Sequence, residues 1–307
     1  MSYAEQIMSV STKNVQDFVD SGTAAVKKNS NFREFVRRVC LNKAALISFF
    51  VIVIIVLLSI LAPVIAPDGY DAQDLLATNQ APSWSHPFGT DHLGRDILSR
   101  ILWGSRYSLS VGLISILLAA ATGVILGLIS GFFGGTIDDI IMRICDVFMA
   151  IPQILLAICI SAALGAGLFN LLLATSISTI PGFTRMCRAS VLSVREQEFT
   201  EAARCSGAKN IRIMFKYILP NVLSPIIVQV TMGIAGTILV ASSMSFLGLG
   251  LQPPAPEWGA MLSASRTYIR LAPWSCLFPG LAIAITVLAF NLLGDGMRDA
   301  LDPKLKR

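Results

Sequence analysis

Histidine is scarce in this 307-residue chain, which carries only His86 and His92. The sequence has neither the Ser, His and Asp set typical of a hydrolase nor an HExxH pair for zinc, so most enzyme chemistry is excluded. No Gly-Lys-Ser/Thr follows any glycine-rich turn, which excludes a Walker phosphate loop. We therefore predict no catalytic residue and no cofactor bound by this chain itself.

Metal and disulfide chemistry has little support as well. A metal site at His86 and His92 is conceivable, but their spacing in one loop is weak support, and we interpret them as solvated loop histidines. The six cysteines never stand at CxxC spacing and lie mostly in or beside apolar segments. We interpret them as buried thiols, not as disulfides or metal ligands.

Charge is also sparse, at 14% of residues against 54% hydrophobic, which argues against a soluble protein. A membrane-spanning helix needs about 20 apolar residues. Runs of this kind predict an all-α membrane protein with six transmembrane helices, at residues 44–65, 107–129, 140–164, 168–184, 222–247 and 271–293.

Several residues inside these runs predict local features of the helices. Gly123, Gly127 and Gly131 recur every fourth residue and predict a face that another helix approaches closely. Pro152 predicts a kink, and Pro181 predicts a break before Arg185. The polar residues of the fifth span either line a water-filled path or bond to neighbouring backbone; they are Gln229, Ser242, Ser243 and Ser245.

Residues 196–221 form a charged island between two apolar runs, and the rest of the chain is organised around it. Its apolar residues predict two short helices, the second with Ile211, Met214, Phe215 and Ile218 on one face. Gly207 lies between them, where helices commonly end in a left-handed residue. The island either lies in the lipid headgroups as an amphipathic helix or docks on another protein.

Within the island, Glu201-Ala202-Ala203, Gly207 and the segment ending at Pro220 resemble the EAA signature of ABC-importer permeases. In that family this loop is a coupling helix that sits in a groove of a separate cytoplasmic ATPase. The resemblance implies the type I importer fold. It also assigns ATPase coupling to Glu201, Ala202, Ala203, Gly207, Ala208, Leu219 and Pro220.

Two further strings narrow the resemblance to the dipeptide, oligopeptide and nickel permeases, and within them to the second permease subunit. They are GTDHLGRD at 89–96 and FLGLGLQPPAPEWGAML at 246–262. A solute-binding protein docks on the outer face in that family. The residues that we expect to meet it are Asp91, Arg95, Asp96, Glu257 and Trp258.

The basic residues predict the orientation in the cell membrane. Of the 24 Lys and Arg, 19 lie in the two termini, the connection after the second span and the island, which places both termini in the cytoplasm. The predicted regions are a cytoplasmic tail at 1–43 with a short interfacial helix, a first span at 44–65, an outer loop at 66–106, a core of five spans at 107–297, and a cytoplasmic end at 298–307.

The resemblance also implies the partners. They are a homologous second permease, two cytoplasmic ATPases that bind ATP and Mg, an extracytoplasmic solute-binding protein and membrane lipid, with no nucleic acid. Peptide is the expected substrate, and nickel or another small solute is the alternative. An ATP-independent secondary transporter is the rival class, but the spans show neither a mid-membrane ionisable relay nor an inverted repeat.

Overall fold

A computed structural model of the chain describes residues 31–301, so the predicted tail and cytoplasmic end lie largely outside the described residues. Apart from a short 3₁₀ helix at Arg266–Tyr268, the described part forms ten helices and no β-sheet. The helices are α1 Asn31–Leu41, α2 Lys43–Ile65, α3 Ile97–Phe133, α4 Gly135–Met149, α5 Gln153–Leu164, α6 Leu168–Arg195, α7 Glu198–Cys205, α8 Asn210–Phe246, α9 Trp258–Ser265 and α10 Trp274–Leu301.

Within residues 31–301, four helices are long and apolar enough to cross a membrane, or five if one bent pair is a single span. The four are α2, α3, α8 and α10, and the pair is α4 with α5, bent by 88°. The predicted fourth span, at residues 168–184, falls in α6, which is too rich in Ser, Thr and Arg to be counted among these apolar helices. The all-α fold class is therefore confirmed, while the count of six stays a prediction.

Helix α3 begins at Ile97, so the last ten residues of the predicted outer loop are helical and continuous with the predicted second span. The Asp96 carboxylate caps the helix by accepting from the Ser99 N–H at 2.7 Å. Because Arg100 and Arg106 are charged, the prediction from apolar runs begins the second span only at residue 107. At 37 residues, α3 is about 55 Å long, so it extends well beyond an apolar layer of about 30 Å.

The break predicted at Pro181 is wrong, because α6 continues through this proline to Arg195. The glycine face of α3 packs against this part of α6, and that contact outweighs the local effect of proline. A Cβ added to Gly123 would lie 2.5 Å from the Phe183 Cβ, and one added to Gly131 would lie 2.8 Å from the Val191 Cβ. The predicted close approach of another helix is thereby confirmed.

Helices α4 and α5 are separated at Pro152, where the predicted kink is a complete break. Two ion pairs hold α4 against α6. The Arg188 guanidinium donates to both carboxylate oxygens of Asp138 at 2.5 Å, and Arg185 donates to Asp146 at 2.6 Å. The first pair is bidentate, a geometry that fixes orientation as well as distance.

The bundle has two distinct ends. At the loop end, Arg106 near the start of α3 donates to the Ser59 carbonyl near the end of α2 at 2.7 Å. At the island end, Arg195 at the end of α6 donates to the Gly131 carbonyl near the end of α3 at 3.1 Å. Residues 66–96 and 247–273 therefore lie at the loop end, and residues 196–221 lie at the island end.

We expect Gly127→Ala to destabilise the protein by about 1–3 kcal/mol, because the new Cβ would lie 2.6 Å from the Cys187 Cβ and the Thr184 carbonyl. Gly182→Ala is the matched control on the partner helix, where a Cβ meets nothing within 4 Å, and it should be neutral or stabilising by up to about 1 kcal/mol. Thermal unfolding in detergent, followed by circular dichroism, measures both. Equal melting temperatures for the two variants would contradict the close packing of α3 on α6.

Candidate functional site

The island at residues 196–221 consists of α7, a glycine turn and the beginning of α8. Gly207 has a φ of +76°, which confirms the predicted left-handed end of α7. Its N–H donates to the Arg204 carbonyl at 2.9 Å, and the Ala208 N–H donates to the Ala203 carbonyl at 3.1 Å. The turn therefore satisfies the last carbonyls of α7 and fixes the angle at which α8 begins.

One face of the island is buried against the ends of the membrane helices. Ala203 is 5% exposed, and the Thr200 hydroxyl donates to the Val194 carbonyl of α6 at 3.2 Å. The apolar cluster around Ala203 joins residues of α3, α6 and α8, namely Leu128, Phe132, Cys187, Val191, Val194, Ile213, Met214, Ile218, Val222 and Ile226. A small side chain at position 203 lets α7 lie close to this cluster.

The opposite face of the island is open. Glu201 and Ala202 are exposed on α7, while Ile211 is 71% and Phe215 is 51% exposed on α8. The prediction that Ile211 and Phe215 share one face with Met214 and Ile218 is wrong, because the last two are buried. Residues Ile213–Ile218 form a π-helix, whose wider turn changes the register and leaves Ile211 and Phe215 outside.

The predicted coupling residues are thus brought together but divide between the two faces. Glu201, Ala202, Gly207 and Pro220 are exposed, Ala208 and Leu219 are half-buried, and Ala203 is buried. The sequence did not separate Ile211 and Phe215 from Met214 and Ile218, since the 3.6-residue period assigned all four to one face. Their exposure leaves an apolar patch beside the buried cluster.

Two cavities lie between α8 and α10, and they contain three of the four polar residues predicted for a path. Gln229 lines a cavity of about 600 Å³ at the island end, together with Ser224 and Arg298. Ser242 and Ser243 line a second cavity of about 510 Å³ nearer the loop end. Ser245 lines neither of them and packs against Gly250.

At the loop end, the GTDHLGRD string holds the outer loop in place. The Asp91 carboxylate accepts from Arg95 Nε at 2.7 Å, and Arg100 Nε lies 3.7 Å from the same oxygen. All three side chains are buried. Trp274 at the start of α10 donates from its indole nitrogen to the Thr90 carbonyl at 3.4 Å. The string therefore fixes the loop to α3 and α10.

The second string fixes α9 in a comparable way. Glu257 accepts from the N–H groups of Gly259 and Ala260 at 3.0 and 2.9 Å, and Trp258 donates to the Ile101 carbonyl of α3 at 3.1 Å. Both side chains are 1% exposed. Burial raises the pKa of the Glu257 carboxyl above its usual range, while these backbone donors act in the opposite direction.

The burial of these side chains corrects the prediction of docking residues. Asp91, Arg95, Glu257 and Trp258 cannot themselves touch a docked protein in this conformation, because each is enclosed by α3, α9 or the loop. Asp96 stays partly exposed, although its carboxylate also contacts His86 Nδ1 at 3.1 Å. Docking on the outer loops as such stays a prediction.

The histidines and cysteines, considered as metal ligands, lie apart from one another. The His92 ring stacks on Tyr268 at 4.9 Å, and among residues 31–301 no three His, Cys, Asp or Glu side chains come together as a metal site. The interpretation of the cysteines as buried thiols holds for Cys145 and Cys187. It is wrong for Cys40, Cys159 and Cys205, which lie on the surface of this single chain.

Comparison with known protein families gives two matches along the chain. Residues 123–307 match the family described as binding-protein-dependent transport system inner membrane component. Residues 30–82 match the N-terminal transmembrane domain of oligopeptide transport permease C. The second match covers α2 and the first part of the outer loop, which extend the bundle beyond the first matched region.

Individual relatives match over almost their whole length. The dipeptide transport system permease protein DppC of Alkalihalophilus pseudofirmus is 49% identical, over 90% of this chain and 91% of the relative. The glutathione transport system permease protein GsiD of Pectobacterium atrosepticum is 47% identical, over 90% and 92%. The DppC protein of Haemophilus influenzae is 46% identical, over 87% and 92%.

A solved structure supports the fold independently of close sequence similarity. The inward-facing MetNI methionine ABC transporter contains a chain that matches with a TM-score of 0.55 and 19% identity, over 67% of this chain and 98% of that one. This similarity extends the resemblance from sequence motifs to the arrangement of the helices. The chain belongs to the family of binding-protein-dependent transport system inner membrane components.

Proposed function

We propose that this chain is the membrane-spanning permease subunit of an ATP-driven importer, and that the island is its contact with the ATPase. The observation that carries the proposal is the two-sided island. One face is packed into the ends of α3, α6 and α8, and the other exposes Ile211 and Phe215 to a partner. A helix lying in headgroups would turn its apolar face outward and would not build a core with the membrane helices.

The island end faces the cytoplasm in this proposal. Arg204, Lys209, Arg212 and Lys216 are all exposed there, and the start of α2 lies at the same end, where a Cβ on Gly296 would meet the Ala45 Cβ at 2.3 Å. Of the 24 basic residues, 19 belong to the segments assigned to this side and 5 to the other, as the positive-inside rule expects of a cytoplasmic face. Both termini are then cytoplasmic, and the loop end faces outward.

The partners follow from this orientation. A cytoplasmic ATPase covers the exposed face of the island, and two such subunits bind the ATP and Mg that this chain does not bind. A homologous second permease completes the path beside α8 and α10, where Gln229, Ser242 and Ser243 line the two cavities. A solute-binding protein delivers the substrate at the loop end.

Peptides are the proposed substrate class. The relatives named for dipeptide and glutathione transport are 46–49% identical over nearly the full chain, and dipeptides and glutathione are both short peptides. These relatives favour a peptide over the nickel alternative. The polar cavity around Gln229, Ser224 and Arg298 offers amide, hydroxyl and guanidinium groups, which suit the backbone and carboxylate of a short peptide.

The mechanism that fits this arrangement is alternating access. ATP binding draws the two ATPases together and shifts the permease from an inward-open to an outward-open state, and hydrolysis resets it. The ATPase can shift this equilibrium only by binding the two states with different affinity. Because the island shares its core with α3, α6 and α8, a displacement of the island moves the inner ends of these helices with it.

Reconstitution into proteoliposomes tests the proposed function. The chain, its second permease and the ATPases should hydrolyse ATP faster when peptide-loaded binding protein is added, and labelled peptide should accumulate only with ATP. Solute flux that follows an ion gradient without ATP would instead support a secondary transporter.

We expect Gly207→Pro to abolish the rise in ATP hydrolysis caused by loaded binding protein, while the protein still inserts in the membrane. Proline cannot adopt the φ of +76° and loses the hydrogen bond to the Arg204 carbonyl. Gly207→Asn is the matched control, because asparagine tolerates this conformation and a Cβ here meets nothing within 4 Å. Equal stimulation of both variants would show that the turn geometry is not needed for coupling.

We expect Phe215→Ser combined with Ile211→Ser to weaken ATPase binding about 30-fold or more, as for loss of an interface hot spot of about 2 kcal/mol. Both side chains are largely exposed, so the stability of the permease alone should hardly change. The dissociation constant is measured by titrating the ATPase onto permease in nanodiscs. Phe169→Ser, at an exposed aromatic where α6 begins at the loop end, is the control and should bind normally. Unchanged affinity of the double variant would place the ATPase elsewhere.

A further inference from the structure

The outer loop presents a tryptophan that the other residues of the described range 31–301 leave uncovered. Trp84 is fully exposed, at 103%, although tryptophan is the largest apolar side chain and loops at the surface are usually polar. It lies at the tip of a turn formed by residues 83–86. The neighbouring GTDHLGRD string, whose Asp91 and Arg95 we expected to meet a docking protein, is instead buried.

Hydrogen bonds within this turn hold the backbone at Trp84 in a defined position. The Ser83 N–H donates to the His86 carbonyl at 2.9 Å, and the His86 N–H donates to the Ser83 hydroxyl at 3.2 Å. The His86 ring contacts the Asp96 carboxylate, which also caps α3. A partner that binds Trp84 therefore meets a preorganised backbone turn, so little backbone entropy is lost on binding.

A second apolar turn belongs to the same loop. Leu75 and Leu76 are 71% and 94% exposed, and the Asp74 carboxylate holds their turn by accepting from the Leu76 N–H at 2.9 Å. Backbone hydrogen bonds tie this part of the loop to the GTDHLGRD string, from the Asn79 N–H to the Asp91 carbonyl and from the Thr90 N–H to the Gln80 carbonyl, both at 3.0 Å. The two turns are thus parts of one ordered loop.

The charges around these turns distinguish a protein partner from a lipid surface. Asp68, Asp71 and Asp74 are exposed beside the leucine turn, and they would repel the anionic headgroups that attract basic segments to membranes. Aromatic and aliphatic anchors rimmed by charge are typical of the centre of a protein interface. The acidic rim requires a partner that is basic around an apolar pocket.

We propose that Trp84, Leu75 and Leu76 are the apolar anchors on which the extracytoplasmic solute-binding protein docks, through an apolar pocket with a basic rim. This inference rests on the proposed function, since it names the surface by which the binding protein reaches the permease. The predicted docking residues Asp91, Arg95, Glu257 and Trp258 are buried and support the loop and α9 from within. The exposed side chains proposed here are able to make the contact instead.

The test uses the complete transporter in nanodiscs, with ATP hydrolysis measured against the concentration of peptide-loaded binding protein. Trp84→Ala should raise the half-saturating concentration by at least about tenfold and leave the rate at saturation unchanged, because docking is weakened and coupling is intact. Thr78→Ala, at an exposed polar position of the same loop, is the matched control and should resemble the unmodified protein. An unchanged half-saturating concentration for Trp84→Ala overturns the inference.

Charge reversal tests the acidic rim. Asp68→Lys with Asp71→Lys should slow association of the binding protein at low ionic strength, and the difference should shrink as salt is added. A rate that is unaffected at every ionic strength contradicts the basic rim of the partner.

A label at position 84 tests the lipid alternative. An environment-sensitive fluorophore on Trp84→Cys, in a background without other accessible cysteines, should shift to the blue only when binding protein is added. A blue shift in nanodiscs alone assigns the tryptophan to lipid and overturns the inference. If binding protein fails to stimulate even the unmodified transporter, the proposed function itself is wrong, and the two failures are therefore distinguishable.

Discussion

The packing of Ala203 and the first turns of α8 against the ends of α3 and α6 is the contact on which the rest of the structure depends. The island is too short to form a core of its own, so it is ordered only because Ile213, Met214 and Ile218 complete a cluster that the membrane helices begin. A protein that binds the exposed face of the island therefore binds a unit that includes the ends of these helices. Under the proposed function, this unit connects the ATPase to the membrane helices.

Helices α3 and α6 also connect the island to the loop end of the bundle. Helix α3 runs 37 residues from the Asp96 cap to the island, and its glycine face lets α6 lie against it over three turns. The bidentate pair of Arg188 and Asp138 adds α4 to this unit. At the loop end, the buried Asp91 and Trp258 attach the outer loop and α9 to the first turns of α3. Both proposed docking surfaces are thus built on one continuous helix.

Much of the fold could be predicted, because long apolar runs and glycine spacing depend on local sequence alone. The left-handed Gly207 follows from backbone sterics and was predicted correctly, while Pro152 was predicted to kink one span and instead separates two helices. The errors arise where tertiary contacts decide. Packing on α3 carries α6 through Pro181, and a π-helical turn places Phe215 outside. The motif residues Asp91 and Glu257 are identifiable from sequence, but only their burial shows that they support the loops from within.

The most direct test of the account is whether the island moves as one body with the membrane helices. Spin labels on Lys216→Cys in the island and Thr122→Cys on α3, in a background without the native cysteines, report this distance within one chain by pulsed electron paramagnetic resonance. The account predicts the same distance in the nucleotide-free and ATP-bound transporter, while the distance between the islands of the two permease subunits shortens. A distance within the chain that changes with nucleotide, by as much as the distance between the islands, would contradict rigid coupling through the Ala203 cluster.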